Sequence, residues 1–167
     1  MADEQASAER QLLLQKLYIK DCSFESPKAP EIFQSSVNAQ TLLNIRSENR
    51  QLDADHVEVT LTVNIKSVIG EDTVFLIELV QAGVFVLTGF APDERVVALG
   101  NTCPATLYPF AREAVANVAN KGGFPQLLLQ PLDFASMFAQ NMRERAAQAE
   151  HEPSAPDGIV SEPQPPE

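Results

Sequence analysis

From Val57 to Ile65 the chain alternates without a break. Val57, Val59, Leu61, Val63 and Ile65 share one parity; Glu58, Thr60, Thr62 and Asn64 share the other. A period of two with β-branched residues predicts a half-buried strand. Gly70-Glu71-Asp72 reads as a turn, and residues 73–86 as the returning strand, so 57–86 is an antiparallel hairpin. An earlier strand is predicted over about 15–25, ended by Pro27 and Pro30. A weaker one at 37–46 carries Val37, Ala39, Thr41, Leu43 and Ile45 on one side. The connection between them, 26–36, is long and contains proline, which suits a crossover better than a tight hairpin.

Beyond residue 90 the period changes from two to 3.6. Pro92 to Leu99 predicts a short helix stopped by Gly100. Pro104 suits the first turn of a new helix after Thr102. Leu107, Ala111, Ala114, Val115 and Val118 then line one face, and Gly122-Gly123 ends the helix. Residues 124–132 are apolar and extended. Asp133 is placed to cap a last helix to about Ala146, with Phe134, Met137, Phe138 and Met142 on one side. Four antiparallel strands followed by two main helices on one face make an α+β domain.

The returning strand is apolar on both parities. Phe75, Ile77 and Leu79 point one way; Val74, Leu76 and Val80 point the other, with Glu78 among them. An antiparallel sheet covers one face and wets the other. The polar parity of 57–65 marks the wet face, and by the same reasoning Glu58 and Glu78 share it with Asp21 and Glu25. A flat, acidic, exposed surface carrying Leu76 is the expected result. A leucine framed by carboxylates is either a docking point or a tolerated surface residue; the pattern leaves both open. Two amphipathic helices leave apolar surface over, so a symmetric oligomer is expected.

Charge sharpens the partner question. The formal charge is −11, and the twelve Lys and Arg residues are scattered rather than gathered in a stripe. Nucleic acid is therefore not an expected partner; a basic polypeptide is. No apolar run approaches the ~20 residues that span a bilayer, so membrane insertion is not expected. No charged n-region with an apolar h-region follows Met1, which predicts a cytoplasmic chain with reduced thiols. Residues 1–9 and 147–167 are polar, Ala-rich or Pro-rich and are expected to be disordered, leaving a domain of 10–146.

The chain offers little for catalysis. His56 stands beside Asp53 and Asp55, but in one turn and without a second cluster, so a solvated turn is expected rather than a metal site. Cys22 is expected to be a small core residue. Cys103 precedes a helix, yet lacks an obvious base, so a structural role is expected. No Walker loop, dinucleotide fingerprint or nucleophile elbow occurs. No cofactor and no enzymatic activity are expected.

An ordered set of segments gives more. Tyr18-Ile19-Lys20-Asp21-Cys22-Ser23-Phe24-Glu25-Ser26-Pro27-Lys28-Ala29-Pro30 is followed by Phe33, by Phe75-Leu76-Ile77-Glu78, and by Gly83 and Phe85. Then come Cys103-Pro104, Leu107-Tyr108-Pro109-Phe110-Ala111-Arg112-Glu113, Phe124-Pro125-Gln126-Leu127-Leu128-Leu129, Pro131 and Phe134. Over about residues 12–140 the chain resembles the SecB family of protein-export chaperones in order and spacing.

The resemblance implies a dimer of dimers with outer sheets facing solvent and long helices between dimers. It implies hydrophobic grooves that bind unfolded precursor proteins without ATP, and delivery to SecA, the motor of the Sec translocon. The SecA-docking positions fall on Asp21, Glu25, Leu76 and Glu78. The groove, between the last helix and the crossover, falls on Phe33, Tyr108, Phe110, Phe124, Leu127, Phe134 and Phe138. The order Tyr108-Pro109-Phe110 departs from the family, which often has Phe first and Tyr second. The long acidic tail lacks basic residues, so a tail contact with SecA is not carried over. A different class of function remains beside this one: an acidic oligomeric scaffold that recruits one folded partner through its sheet.

Overall fold

The computed structural model describes residues 9–35 and 38–151. Val37 lies outside the described residues, as do 1–8 and 152–167 of the termini expected to be disordered (1–9 and 147–167), whereas 147–151 belong to the last helix.

Four long strands form one antiparallel sheet: β1 (Gln11–Glu25), β2 (Gln40–Gln51), β3 (His56–Ile69) and β4 (Asp72–Thr88). Their spatial order is β1-β4-β3-β2. Hairpin-linked β2, β3 and β4 thus carry β1 against the outer side of β4, a Greek-key arrangement. The crossover takes the chain from one edge of the sheet to the other. It passes through a single 3₁₀ turn, Glu31–Gln34, with Ile32 buried. Lys28 pins it to the start of β4 by an ion pair with Asp72 at 2.8 Å.

Every strand runs past its predicted bounds at one end or both, although β2 starts at Gln40 and leaves out Ala39 of the predicted 37–46. Alternation detects only the stretch where burial contrasts sharply between faces. The pairing itself continues beyond, for example from Gln11 opposite Thr88 to Glu25 opposite Leu76.

The inner face is the core. Val57, Val59, Leu61, Val63 and Ile65 of β3 are buried there with Ile77, Leu79, Phe85 and Leu87 of β4. Helix α2 (Cys103–Lys121) lies over them through Leu107, Ala111, Ala114 and Val115. Its close approach depends on Gly83 of β4, where an added Cβ would sit 2.9 Å from Leu107.

The helical half differs from the sequence expectation in three places. Gly100 does not stop a helix. Helix α1 (Pro92–Val97) runs into a π turn, Ala98–Thr102, and straight on into α2. Thr102 is accordingly helical, and Pro104 continues a helix rather than starting a new one. The widened turn precedes Pro104, whose ring would crowd a regular α-helix and which offers no N–H. Gly100 serves close packing instead, since a Cβ there would lie 2.2 Å from the Phe138 ring.

Helix α3 (Phe134–His151) extends past Ala146. Asp133 caps it, accepting from the Ser136 backbone N–H at 3.0 Å and the Ser136 hydroxyl at 2.7 Å. Only α2 lies flat on the sheet. Helix α3 is anchored by its first turns, and every side chain from Ala139 to Ala149 is exposed.

Candidate functional site

The outer face is built from cross-strand rows. Opposed residues of paired strands share a face, so the register assigns each outward side chain. One row reads Glu25, Leu76, Lys66, Leu42 across β1, β4, β3 and β2. The next reads Ser23, Glu78, Asn64, Asn44, and the third Asp21, Val80, Thr62, Arg46. Asp21, Glu25, Leu76 and Glu78 therefore lie together, at the end of the face beside the β3–β4 turn. The three carboxylates are exposed and Leu76 is half-buried. Glu25, Leu76 and Glu78 also line one depression of about 370 Å³.

Glu58 does not belong to this group. It is on the outer face, but opposite Val84 and far along the strands. It is also only 4% exposed rather than solvated. The Tyr18 hydroxyl donates to it, Lys20 Nζ donates at 2.9 and 3.0 Å, and Arg50 donates through Nε at 3.2 Å. The Tyr18 and Lys20 hydrogen bonds hold the Glu58 carboxyl at about 2 against the opposing effect of burial. The Tyr18 hydroxyl is pushed up to about 12, first by burial and then by its bond to Glu58. The face is therefore not uniformly acidic. Lys16, Lys20 and Arg50 make its far half basic, and Arg46, in the Asp21 row, pairs with Glu48 at 3.5 Å, while Glu25 and Glu78 stand at the other end.

The seven groove candidates fall into separate settings. Phe33 and Phe124 meet at 5.2 Å between ring centroids, in a cluster completed by Phe24 and Phe75. Phe33 is 51% exposed, so this cluster opens to solvent on the crossover side. Tyr108 and Phe134 also touch, at 5.4 Å edge to face, but are buried at 4% and 6%. The Tyr108 hydroxyl donates to the Gln130 carbonyl at 2.6 Å, tying α2 to the extended segment before α3. Phe138, with Phe134, lines a cavity of about 560 Å³ between β2, α1 and α3. Leu127 is half-buried against the core, and Phe110 is exposed on α2.

Sequence reasoning missed several participants. Phe24 and Phe75 complete the aromatic cluster; both sit at inward positions of their strands, but only the fold brings them to the crossover. Ile45 and Met137 line the cavity with Phe138. Lys66 and Leu42 complete the acidic-end row. Lys66 is the next outward step after Asn64, and Leu42 breaks the odd-numbered apolar pattern of β2, so a signal for both was present.

Two smaller readings are settled by burial. Cys22 is exposed rather than a core residue. It faces inward opposite Leu79, but β1 is an edge strand that α2 does not fully cover. Cys103 is buried, and burial alone pushes its thiol up to about 12, which makes it a poor nucleophile. His56 Nδ1 lies 2.8 Å from Asp53 Oδ1, which also accepts from the backbone N–H groups of Asp55 and His56. That is a closed turn, and no group of three metal-ligating side chains occurs among the described residues. No helix among them is long and apolar enough to cross a membrane.

A family model described as "Preprotein translocase subunit SecB" matches residues 5–145. The chain belongs to the SecB family. The Protein-export protein SecB of Methylococcus capsulatus is 40% identical over 156 residues, covering 93% of this chain and 99% of its own. That of Pseudomonas aeruginosa is 42% identical over 150 residues, covering 89% and 90%. Among solved structures, a Mycobacterium tuberculosis SecB-like chaperone in complex with a ChAD peptide from an antitoxin superposes with a TM-score of 0.62. It is 16% identical and the match covers 72% of this chain and 90% of that one, a likeness of fold. Membership of the SecB family makes this a protein-export chaperone of the Sec pathway.

Proposed function

We propose that this SecB-family chain binds unfolded precursor proteins through its inner apolar surfaces and delivers them to SecA through Asp21, Glu25, Leu76 and Glu78. The observation that carries the delivery half is the placement of those four side chains at one end of an open sheet face, with Leu76 between two exposed carboxylates. Free carboxylates around one apolar residue suit a basic partner with an apolar anchor.

Client binding draws on different elements. The crossover cluster of Phe33 and Phe124 and the cavity beside Phe138 offer apolar surface on the helix side. Apolar burial at ~25 cal/mol per Å² holds an unfolded segment without a nucleotide. Several weak contacts along one chain reinforce one another through effective concentration. Tyr108 and Phe134 are buried and would support that surface, and exposed Phe110 and half-buried Leu127 are its further candidates. That a SecB-like chaperone of the same fold holds a peptide agrees with this use of the fold.

The reading includes a dimer of dimers in the cytoplasm. Leu17 and Ile19 face inward on β1 and are exposed in the single chain, which is apolar surface for a second copy. No catalytic step and no cofactor enter the mechanism.

The test is suppression of aggregation of a denatured secretory protein, without nucleotide, alongside calorimetric titration with SecA. The proposal expects both activities. Binding of SecA without aggregation suppression would instead favour a scaffold that recruits a folded partner.

A further inference from the structure

The docking row continues past the residues assigned to it. Glu25, Leu76, Lys66 and Leu42 stand opposite one another across all four strands. Together with Glu78 and Asn64 they line the depression of about 370 Å³. At an inter-strand spacing of about 4.8 Å the row is about 14 Å long, the reach of some four residues of extended chain. Its order is acid, apolar, base, apolar.

Leu42 is the unexplained member. The inward positions of β2 are filled by Leu43 and Ile45, so the core does not need it. It is 56% exposed on the outer side of an edge strand. Such a position favours a charge over a leucine, because apolar edges invite unwanted pairing.

We infer that Leu42 and Lys66 form the second half of the docking cleft. The occupant is a short extended segment of the basic partner, with cations against Glu25 and Glu78 and an apolar side chain against Leu42. This rests on the docking reading and adds direction to it. Lys66 stands between the two leucines, is exposed and lines the same depression. A segment laid the other way would bring its cations against Lys66, so the row fixes polarity as well as place. A second copy of this chain fits poorly. A two-fold partner would set Leu76 against Lys66 and Glu25 against Leu42, matching neither charge nor apolar surface.

The experiment is calorimetric titration of SecA into the full-length chain in its native assembly, comparing wild type, Leu42→Ser, Leu42→Met and Glu78→Lys. The expected result is a Kd about tenfold weaker for Leu42→Ser and within about twofold of wild type for Leu42→Met. Native mass and aggregation suppression stay unchanged in both, because the side chain is exposed. If Leu42→Ser binds as wild type while Glu78→Lys does not, the cleft ends at Leu76 and this inference falls while docking stands. If neither substitution weakens binding, the docking reading itself falls and takes the inference with it. A changed native mass, or lost aggregation suppression at unchanged SecA affinity, would assign Leu42 to a subunit contact or a client surface and overturn the inference.

Discussion

The Tyr18 hydroxyl, on edge strand β1, donates to the Glu58 carboxylate of β3 by reaching over Ala82 of β4. Ala82 is fully buried although it lies on the outer face. Lys20 joins from β1 and Arg50 from β2, so one carboxylate ties both edges of the sheet together. The same network buries Glu58 and so sets it apart from the exposed carboxylates of Asp21, Glu25 and Glu78.

That network gives the sheet an acid-sensitive component. Because folding lowers the Glu58 pKa, its contribution is fully present above the ordinary carboxyl value of 4.5 and is lost as pH falls toward about 2. Glu58→Ala is expected to lower the unfolding free energy by about 2 kcal/mol at pH 7. Urea unfolding as a function of pH checks this: the difference from wild type should shrink steadily below pH ~4.5.

The surfaces proposed for docking and for clients lie on opposite sides of the sheet, so the proposal expects them to separate by mutation. Glu78→Lys or Leu76→Arg is expected to abolish SecA binding and leave aggregation suppression intact. Loss of both activities, with native mass unchanged, would contradict separate sites.

Salt should divide the same two activities. Exposed carboxylates facing a basic partner are screened over about 8 Å at physiological ionic strength. Raising salt from about 50 to 300 mM is expected to weaken SecA binding several-fold. Aggregation suppression should hold or improve, since apolar burial is not screened.

The crossover cluster should distinguish a surface aromatic from a supporting one. Phe33→Ser is expected to reduce client affinity with little change in melting temperature, because the ring is half exposed. Phe124→Ala removes contacts to Phe24, Phe33 and Phe75 together and should lower both. Titration with a fluorescent unfolded client, beside a melting curve, reads the two effects.

Gly122 tests the junction beneath that cluster. Its backbone is helical, so it is not needed for a left-handed turn; that role falls to Gly123, at φ +86°. Gly122 makes room, since an added Cβ would lie 2.2 Å from the Phe24 ring. Phe24 is held by Phe75 and Phe124 and has little freedom to yield. Gly122→Ala is expected to destabilise by about 1–3 kcal/mol, measured by chemical unfolding.

Alternation alone determined most of the sheet. A strand buried on one side must repeat at period two, and the Val57–Ile65 run does so without error. Parity also put Asp21, Glu25, Leu76 and Glu78 on one side, because that needs only the spacing within each strand and its pairing. The extent of the strands was not legible, since backbone pairing continues where the side chains on both faces are wet. Nor was the fate of Glu58. Its outward parity was readable, but its burial depends on Tyr18, Lys20 and Arg50, which arrive from both edges of the sheet. Gly100 misled for a similar reason. A glycine reads locally as a stop, whereas here Phe138, thirty-eight residues on, requires its missing side chain. Local pattern sets which way a residue points; what stands in front of it is decided only when distant segments of the chain are brought together.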